Sequence, residues 1–241
     1  MRKFIVGSGY WRANDRSEMF FSKYWMPNTL KADPDRIVIL SSGSPEVKWG
    51  NIVEWISLPN NPQHGQVLSK KKIEVQFEGW SLAFIQGAFY AHACGCDYIF
   101  KEQDCLAFGP WIERMYECCE GKQCVTGKLW KIPNQDYSIE LSLMLFKYEY
   151  IMPFLSQLFA DTGTADKVRP EKKFLTIKEK EPELWGNLNF GYGGNRPFSV
   201  SNCFYIQKPR WDYKELKNIK TPIGSLVPDD EIKLLKKEGL L

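Results

Sequence analysis

Residues 97–104, Asp97-Tyr98-Ile99-Phe100-Lys101-Glu102-Gln103-Asp104, decide the fold class, because a short apolar run passes directly into two carboxylates separated by one residue. The apolar run predicts a buried strand. Side chains at positions i and i+2 of a strand point to the same face, so we expect Glu102 and Asp104 to lie together where the strand ends. Paired carboxylates in that position predict a cation site.

The segments before this strand predict an α/β fold. Residues 80–93 are small and apolar at helical spacing, which predicts a helix that leads into the strand. Alternating strands and helices imply a mostly parallel sheet covered by helices, in which ligands bind outside the carboxyl ends of the strands. The other elements predicted in this half are strands at 4–6, 37–40 and 51–56, a Gly-Ser-Gly turn at 7–9 and a helix at 20–30.

The segments after residue 104 continue the same plan. Two loops, 160–169 and 186–197, are rich in polar residues and glycine and have few apolar anchors, so we expect both to move when a substrate binds. The elements predicted here are helices at 110–119, 148–159 and 228–239, strands at 123–129 and 203–207, and a segment at 138–145 that leads into the second helix.

The charge of the chain argues against a nucleic-acid binder that works by neutralising phosphates. The net charge is only +3, and the 32 basic residues are spread through 241 positions. The one compact cluster, residues 70–72, consists of three lysines and predicts a solvated loop.

The cysteines and the apolar runs predict a cytoplasmic protein. The seven cysteines are odd in number and lack the spacing of paired zinc knuckles, which predicts free thiols in a reducing compartment. No small-residue cleavage site follows the apolar residues near the N-terminus. No apolar run approaches the roughly 20 residues of a membrane span, so we expect no transmembrane segment.

The order of elements resembles that of the GT-A type glycosyltransferases over residues 3–160. In that family a nucleotide-binding α/β half leads through a helix and a central strand to an acidic Asp-x-Asp motif. Residues 98–104 match the strand and the motif, with Glu102 in place of the first aspartate, and residues 142–146 resemble the segment that follows. The resemblance implies a single domain with a nucleotide-sugar-binding half at 1–109, an acceptor-side half at 110–214 and a tail with a short helix at 215–241.

The resemblance also implies an activity, which is metal-assisted transfer of a sugar from a nucleotide-sugar donor to a glycan or other hydroxyl acceptor. Asp104 would ligate the cation and Glu102 would be a second ligand or a ribose partner. Oxygen-only ligands suit Mn²⁺ or Mg²⁺. The residues that would form the nucleotide wall are Gly7, Ser8, Gly9, Tyr10, Ser41 and Ser42.

Two further roles stay open at this stage. Arg196, in the glycine-rich loop, is either a bidentate partner for phosphate or an exposed residue of a plain turn. An inverting reaction needs a general base from the second half of the chain. Asp161, Asp166 and Glu171 are candidates that the sequence does not rank, and His64 is a less favoured one.

Two other functions compete with glycosyl transfer. A nucleotidyltransferase shares the α/β plan and an acidic metal site, but it usually has a glycine-rich, basic loop directly after the first strand, whereas Arg12 and Arg16 come late. A non-catalytic carbohydrate- or nucleotide-binding domain would keep the aromatic residues, which make up 15% of the chain, without the metal. Binding of UDP or GDP with and without Mn²⁺ separates these classes.

Overall fold

The computed structural model describes residues 3–12, 15–44, 49–63, 65–107, 109–127, 129–131, 137–188, 191–192, 205–207, 220–221 and 224–225. The strands are β1 (Phe4–Tyr10), β2 (Arg36–Ser42), β3 (Val53–Leu58), β4 (Asp97–Lys101), β5 (Cys105–Ala107), β6 (Cys124–Thr126), β7 (Leu129–Lys131), β8 (Tyr137–Ile139), β9 (Leu143–Phe146), β10 (Trp185–Asn187), β11 (Gly191–Tyr192), β12 (Tyr205–Gln207), β13 (Lys220–Thr221) and β14 (Gly224–Ser225). The helices are α1 (Asp15–Phe20), which continues through a π-helical turn (Phe21–Trp25) into α2 (Met26–Leu30), then α3 (Gly65–Lys71), α4 (Gly79–Ala93), α5 (Trp111–Cys118), α6 (Tyr148–Ala160), α7 (Pro170–Lys180) and a 3₁₀ turn (Pro182–Leu184).

Seven strands form the central sheet in the order β10-β6-β9-β4-β1-β2-β3. β4 lies in the middle, where it pairs in parallel with β1 and antiparallel with β9. Of these seven strands, β9 alone runs against the others, so the carboxyl ends of the rest meet at one edge of the sheet. The predicted α/β class and mostly parallel sheet are confirmed.

The sheet separates two apolar cores, one on each face. One core packs under α1, the π-helical turn, α2 and α5, and the other packs under α4, α6 and α7. Alternate residues of β4 enter the two cores, since Ile99 lies in the first and Tyr98 and Phe100 lie in the second. None of the helices within the described ranges is both long and apolar enough to cross a membrane.

The predicted turn at residues 7–9 is wrong, because β1 continues to Tyr10. Gly7 and Gly87 both lie against the Tyr98 ring, and a Cβ atom on either glycine would overlap the Tyr98 hydroxyl. The glycine at position 7 therefore allows a buried aromatic ring to pack between β1 and α4. It marks close packing inside a strand and not a change of chain direction.

Two other predicted boundaries also change. β4 ends at Lys101, so Glu102–Asp104, which we call the acidic turn, connects β4 to β5 and is not part of a strand. The lysine cluster does not form a loop throughout, because Lys70 and Lys71 complete α3. α7 was not predicted, although Pro170 at its first position, Glu171 in its first turn and the lysines in its last turn are ordinary helix signals.

Candidate active site

The acidic turn lies at the carboxyl edge of the sheet, where backbone bonds hold its first residue. The Glu102 N–H donates to the Ser142 carbonyl at 2.9 Å. The Glu102 carbonyl accepts a hydrogen bond from the Trp25 indole N–H at 2.7 Å and one from the Cys105 N–H at 3.0 Å. Trp25 lies in the π-helical turn, and Cys105 is the first residue of β5. Two separate elements therefore fix the position of the acidic turn.

The middle residue of the acidic turn links it to the end of β1. The Gln103 side-chain oxygen accepts a hydrogen bond from the Trp11 backbone N–H at 2.8 Å. The Trp11 side chain is 45% exposed, so a residue whose backbone bonds to the acidic turn offers a large aromatic surface to solvent. The sequence analysis did not select Trp11, although an aromatic residue directly after a strand at a ligand-binding edge is a usable signal.

At this edge the charges of three other carboxyl groups act on the carboxyl group of Glu102. Burial raises the pKa of Glu102 well above its usual value, and the charges of Asp104, Glu140 and Glu171 raise it further, whereas the hydrogen bond from Trp80 acts in the opposite direction. Glu140, in the connection between β8 and β9, was not a candidate from the sequence. Crowded negative charge of this kind stabilises a bound cation.

The first turn of α4 positions Trp80, whose side chain contacts Glu102. The Glu78 carboxylate caps the helix by accepting hydrogen bonds from the Trp80 and Ser81 N–H groups at 3.1 Å each. Trp80 then donates its indole N–H to a carboxylate oxygen of Glu102. The Trp80 ring packs edge-on against Phe100, with the ring centroids 4.9 Å apart, so its donor has a fixed direction.

The three base candidates have different surroundings. Glu171 is half-buried in the first turn of α7, close enough to affect the pKa of Glu102. Asp161, at the end of α6, accepts a hydrogen bond from the Gly163 N–H at 2.8 Å through one carboxylate oxygen. Asp166 lies in the same connection as Asp161 and neighbours Lys167, which pairs with Glu74 at 3.1 Å. Of the three, Glu171 is the one whose charge acts on the acidic turn.

The connection between α6 and α7 packs against residues 73–77. The Ala165 N–H donates to the Val75 carbonyl at 2.6 Å, and the Gln76 side chain donates to the Asp161 carbonyl at 2.7 Å. The buried Lys173 ammonium bonds to the Gly163 carbonyl at 2.5 Å. Movement of residues 160–169 on substrate binding stays a prediction, and such movement would have to break these contacts.

The predicted nucleotide wall is buried in part. Gly7 and Ser8 lie inside the sheet, and the buried Ser41 hydroxyl donates to the Ser44 carbonyl at 2.9 Å. Tyr10 is also buried; burial, followed by the charge of Glu18, raises its pKa to about 12. Gly9 and Ser42 are the half-buried members of the set, at the carboxyl ends of β1 and β2.

Two predicted residues, Arg196 and His64, lie outside the described residues. The prediction of a loop from residue 186 is wrong at its start, because residues 186–187 belong to β10, and Gly191 and Tyr192 form β11, which pairs with β12. β12 in turn pairs with β5, the strand that follows the acidic turn. Gly191 and Tyr192 are therefore two strands away from β5, which follows the acidic turn.

The donor atoms at the acidic turn fit a hard divalent cation. Glu102 and Asp104 supply only oxygen, which Mg²⁺ and Mn²⁺ prefer. Across the described ranges, no three His, Cys, Asp or Glu side chains are close enough to hold a metal ion by themselves. A cation here would therefore complete its coordination with water or substrate oxygens, as Mg²⁺ does when one or two carboxylates bind it together with phosphate.

The six cysteines within the described ranges are free thiols.

No protein-family model and no curated protein sequence matches the chain. Among solved structures, it is similar to the galactosyltransferase LgtC in complex with donor and acceptor sugar analogues, with 10% identity, a TM-score of 0.51 and 88% of each chain covered. A glycosyltransferase involved in glycosylation of the major capsid of PBCV-1 has 7% identity and a TM-score of 0.52, with 85% of this chain and 93% of that chain covered. The bifunctional glycosyltransferase WbbM has 8% identity and a TM-score of 0.51, with 87% of this chain and 46% of that chain covered. The fold is of the GT-A type.

The GT-A type fold confirms the fold that the resemblance implied. In this chain the reversed strand β9 lies next to the central strand β4. Identities between 7% and 10% carry no information on individual side chains, so the roles of the acidic turn rest on the geometry of this chain.

Proposed function

We propose that the protein is a glycosyltransferase that moves a sugar from a nucleotide-sugar donor to a glycan or other hydroxyl acceptor. The observation that carries this proposal is the acidic turn, with its crowded carboxyl groups, at the carboxyl edge of a GT-A type sheet. That edge is where α/β sheets bind ligands. A donor diphosphate needs positive charge as it leaves, and the acidic turn is suited to hold that charge.

The proposed metal ligands are Asp104 and Glu102, and the cation would be Mn²⁺ or Mg²⁺. When bound, it would supply electrostatic stabilisation of the diphosphate leaving group. Trp80 fixes the direction of the Glu102 carboxylate through its indole N–H. The Trp80 ring packs against Phe100, and this packing keeps the indole N–H in place.

Gln103 joins the proposed nucleotide and metal positions. It accepts a hydrogen bond from the backbone of Trp11, whose exposed indole offers a face on which a base can stack. Gly9 and Ser42 would contact the nucleotide at the ends of β1 and β2. A base on Trp11 and a diphosphate at Asp104 would then be held by adjacent parts of one rigid unit, which favours a fixed donor geometry.

The base for an inverting reaction would be Glu171. Its carboxylate lies near enough to influence Glu102, whereas one carboxylate oxygen of Asp161 is already bonded within its own connection. Glu171 would take the proton of the acceptor hydroxyl as that oxygen attacks the donor sugar. Asp166 remains an alternative base, and contact of Arg196 with phosphate remains a prediction.

Calorimetry tests the proposal with UDP, GDP and other nucleoside diphosphates, each with and without Mn²⁺. We expect one of them to bind in a Mn²⁺-dependent way, and Asp104→Asn to remove that dependence while the fold is kept. Glu120→Gln is a matched control, because Glu120 is exposed in the turn that leads into β6, at the opposite edge of the sheet. Unchanged Mn²⁺-dependent affinity in Asp104→Asn would refute the metal site.

Products distinguish the competing enzymes. With the nucleotide-sugar of the nucleotide that binds, a glycosyltransferase releases the nucleoside diphosphate, while a nucleotidyltransferase releases or consumes pyrophosphate. Binding with no turnover of any donor and acceptor tried would favour a non-catalytic binding domain.

A further inference from the structure

Lys101 is a fully buried lysine at the last position of β4, directly before the acidic turn. Its ammonium donates to the Asn28 side-chain oxygen at 2.7 Å and to the Thr29 hydroxyl at 2.9 Å. It also lies 4.8 Å from the centroid of the Trp25 ring and 5.6 Å from that of the Trp111 ring.

Stability alone does not explain a lysine at this position. Both hydrogen-bond partners are neutral, so among the described residues no carboxylate bonded to the ammonium offsets its loss of water. Burial lowers the pKa of Lys101 to about 7, an effect that the Cys105 thiol opposes. The neighbouring positions of β4 are filled by apolar side chains, which would occupy this place at lower cost.

The hydrogen bonds of Asn28 show what the ammonium holds. The Asn28 side-chain oxygen accepts from Lys101 and also from the Ala107 N–H at 3.3 Å, while its amide group donates to the Ala107 carbonyl at 2.7 Å. Lys101 precedes the acidic turn and Ala107 ends β5, which follows it. Asn28 therefore joins the two stems of the turn from α2.

The same helical segment also bonds directly to the acidic turn. The Trp25 indole N–H donates to the Glu102 carbonyl, and Thr29 donates its hydroxyl to the Trp25 carbonyl at 2.8 Å. Lys101 bonds to Thr29 and lies against the Trp25 ring. It therefore connects this helical segment to the end of β4.

We propose that Lys101 is a positioning residue, which cross-links the end of β4 to α2 and so sets where the acidic turn presents Glu102 and Asp104. The inference rests on the proposed function, since it assigns Lys101 to the same metal and diphosphate site. Lys101 touches neither ligand itself. It acts through Asn28 and Trp25, and a displacement of about 1 Å in a reacting geometry can cost about 100-fold in rate.

Lys101→Met tests the inference, because methionine keeps the length and the contact with the Trp rings but removes the ammonium. Thr29 retains its bond to Trp25, so we expect a thermal unfolding midpoint equal to or above that of the wild type. We expect the Mn²⁺-dependent affinity for the nucleoside diphosphate to fall about tenfold, as supporting residues around metal ligands commonly show. If Lys101 had a purely structural role, Lys101→Met would not be stable and yet bind the nucleoside diphosphate weakly.

Lys178→Met is the matched control. Lys178 is also buried, donates to the Asn187 side-chain oxygen at 2.6 Å and lies 5.7 Å from the Trp185 ring centroid, but its partner lies in β10. We expect this control to bind like the wild type. Asn28→Asp is a second variant that keeps an acceptor for Lys101 but loses the donor to Ala107, and we expect it to weaken binding too.

Hydrogen exchange of the Cys105 amide separates failure of this inference from failure of the proposed function. That amide closes the acidic turn on the Glu102 carbonyl and needs no ligand to be measured. Faster exchange in Lys101→Met than in Lys178→Met supports the positioning role even if no nucleotide binds to the wild type. Wild-type exchange together with wild-type Mn²⁺-dependent affinity in a folded Lys101→Met would overturn it.

Discussion

The two ends of β4 each carry a buried or half-buried carboxylate, and their surroundings are opposite. At the amino end, the Asp97 carboxylate accepts hydrogen bonds from the Tyr116 hydroxyl and the Tyr148 N–H at 2.8 Å each. At the carboxyl end, Glu102 lies among Asp104, Glu140 and Glu171. Neutral donors satisfy the first carboxylate, whereas like charges surround the second.

The difference separates a structural carboxylate at the start of β4 from a carboxylate of the proposed metal site directly after its end. Asp97 caps the start of α6 and ties it to α5 through Tyr116, which stabilises the amino edge of the sheet. The groove beside it, about 410 Å³ in volume, is lined by Lys3 and Lys147 as well as by Asp97 and Glu149, so its charges balance. The carboxyl edge has an excess of negative charge, which is tolerated where a cation binds.

Asp97→Ala should cause the largest loss of stability. It leaves a tyrosine hydroxyl and a helix N–H without their acceptor, and hydrogen bonds to charged groups contribute about 1.5–3 kcal/mol each. We expect the free energy of unfolding, measured with urea, to fall by about 3 kcal/mol. Mn²⁺-dependent nucleotide affinity should stay at the wild-type level in the folded variant, and a loss of affinity would break the contrast between the two ends.

Tyr116→Phe should have a smaller effect at the same end. It removes one of the two donors to Asp97 and keeps the ring, so we expect a loss of about 1.5 kcal/mol in urea unfolding. Because the remaining donor is a backbone group, the variant should retain the start of α6. A loss equal to that of Asp97→Ala would show that Tyr116 carries the whole contribution.

Glu102→Gln should change stability least and in the opposite direction. The substitution removes a charge that Asp104, Glu140 and Glu171 repel, and we expect a gain of about 0.5 kcal/mol, at the low end for stabilising substitutions. We expect a higher unfolding midpoint together with loss of Mn²⁺-dependent nucleotide affinity. Destabilisation by Glu102→Gln would make the two ends of β4 alike and would contradict the comparison.

The gain from Glu102→Gln should also depend on pH. The pKa of Glu102 is raised in the folded protein, so between the unfolded and folded pKa values the folded state binds more protons than the unfolded state. Wild-type stability therefore falls as pH rises through that window, and Glu102→Gln lacks this fall. Urea unfolding from pH 4 to pH 8 should show the difference between the two proteins growing with pH.

Local patterns predicted the strands β1 to β4 and several of the long helices, because the period of apolar residues depends on neighbours in sequence. The helix expected at 80–93 occurs as α4 and the helix expected at 148–159 as α6. Strand β4 begins at Asp97 as expected, and the pair of carboxylates that follows it does lie at the carboxyl edge. Two of the boundaries that failed, at residues 7–9 and 102–104, depend on contacts with distant side chains.

By itself, the sequence determined the α/β plan, the central strand and the acidic residues that end it, since each is encoded within one short segment. Only the tertiary structure decided how those residues are used. Trp25 reaches Glu102 across 77 positions and Trp11 reaches Gln103 across 92. Glu171 acts on the pKa of Glu102 across the fold, although it lies in a different element, α7. Contacts between such distant positions follow from the packing of whole elements, which no local period records.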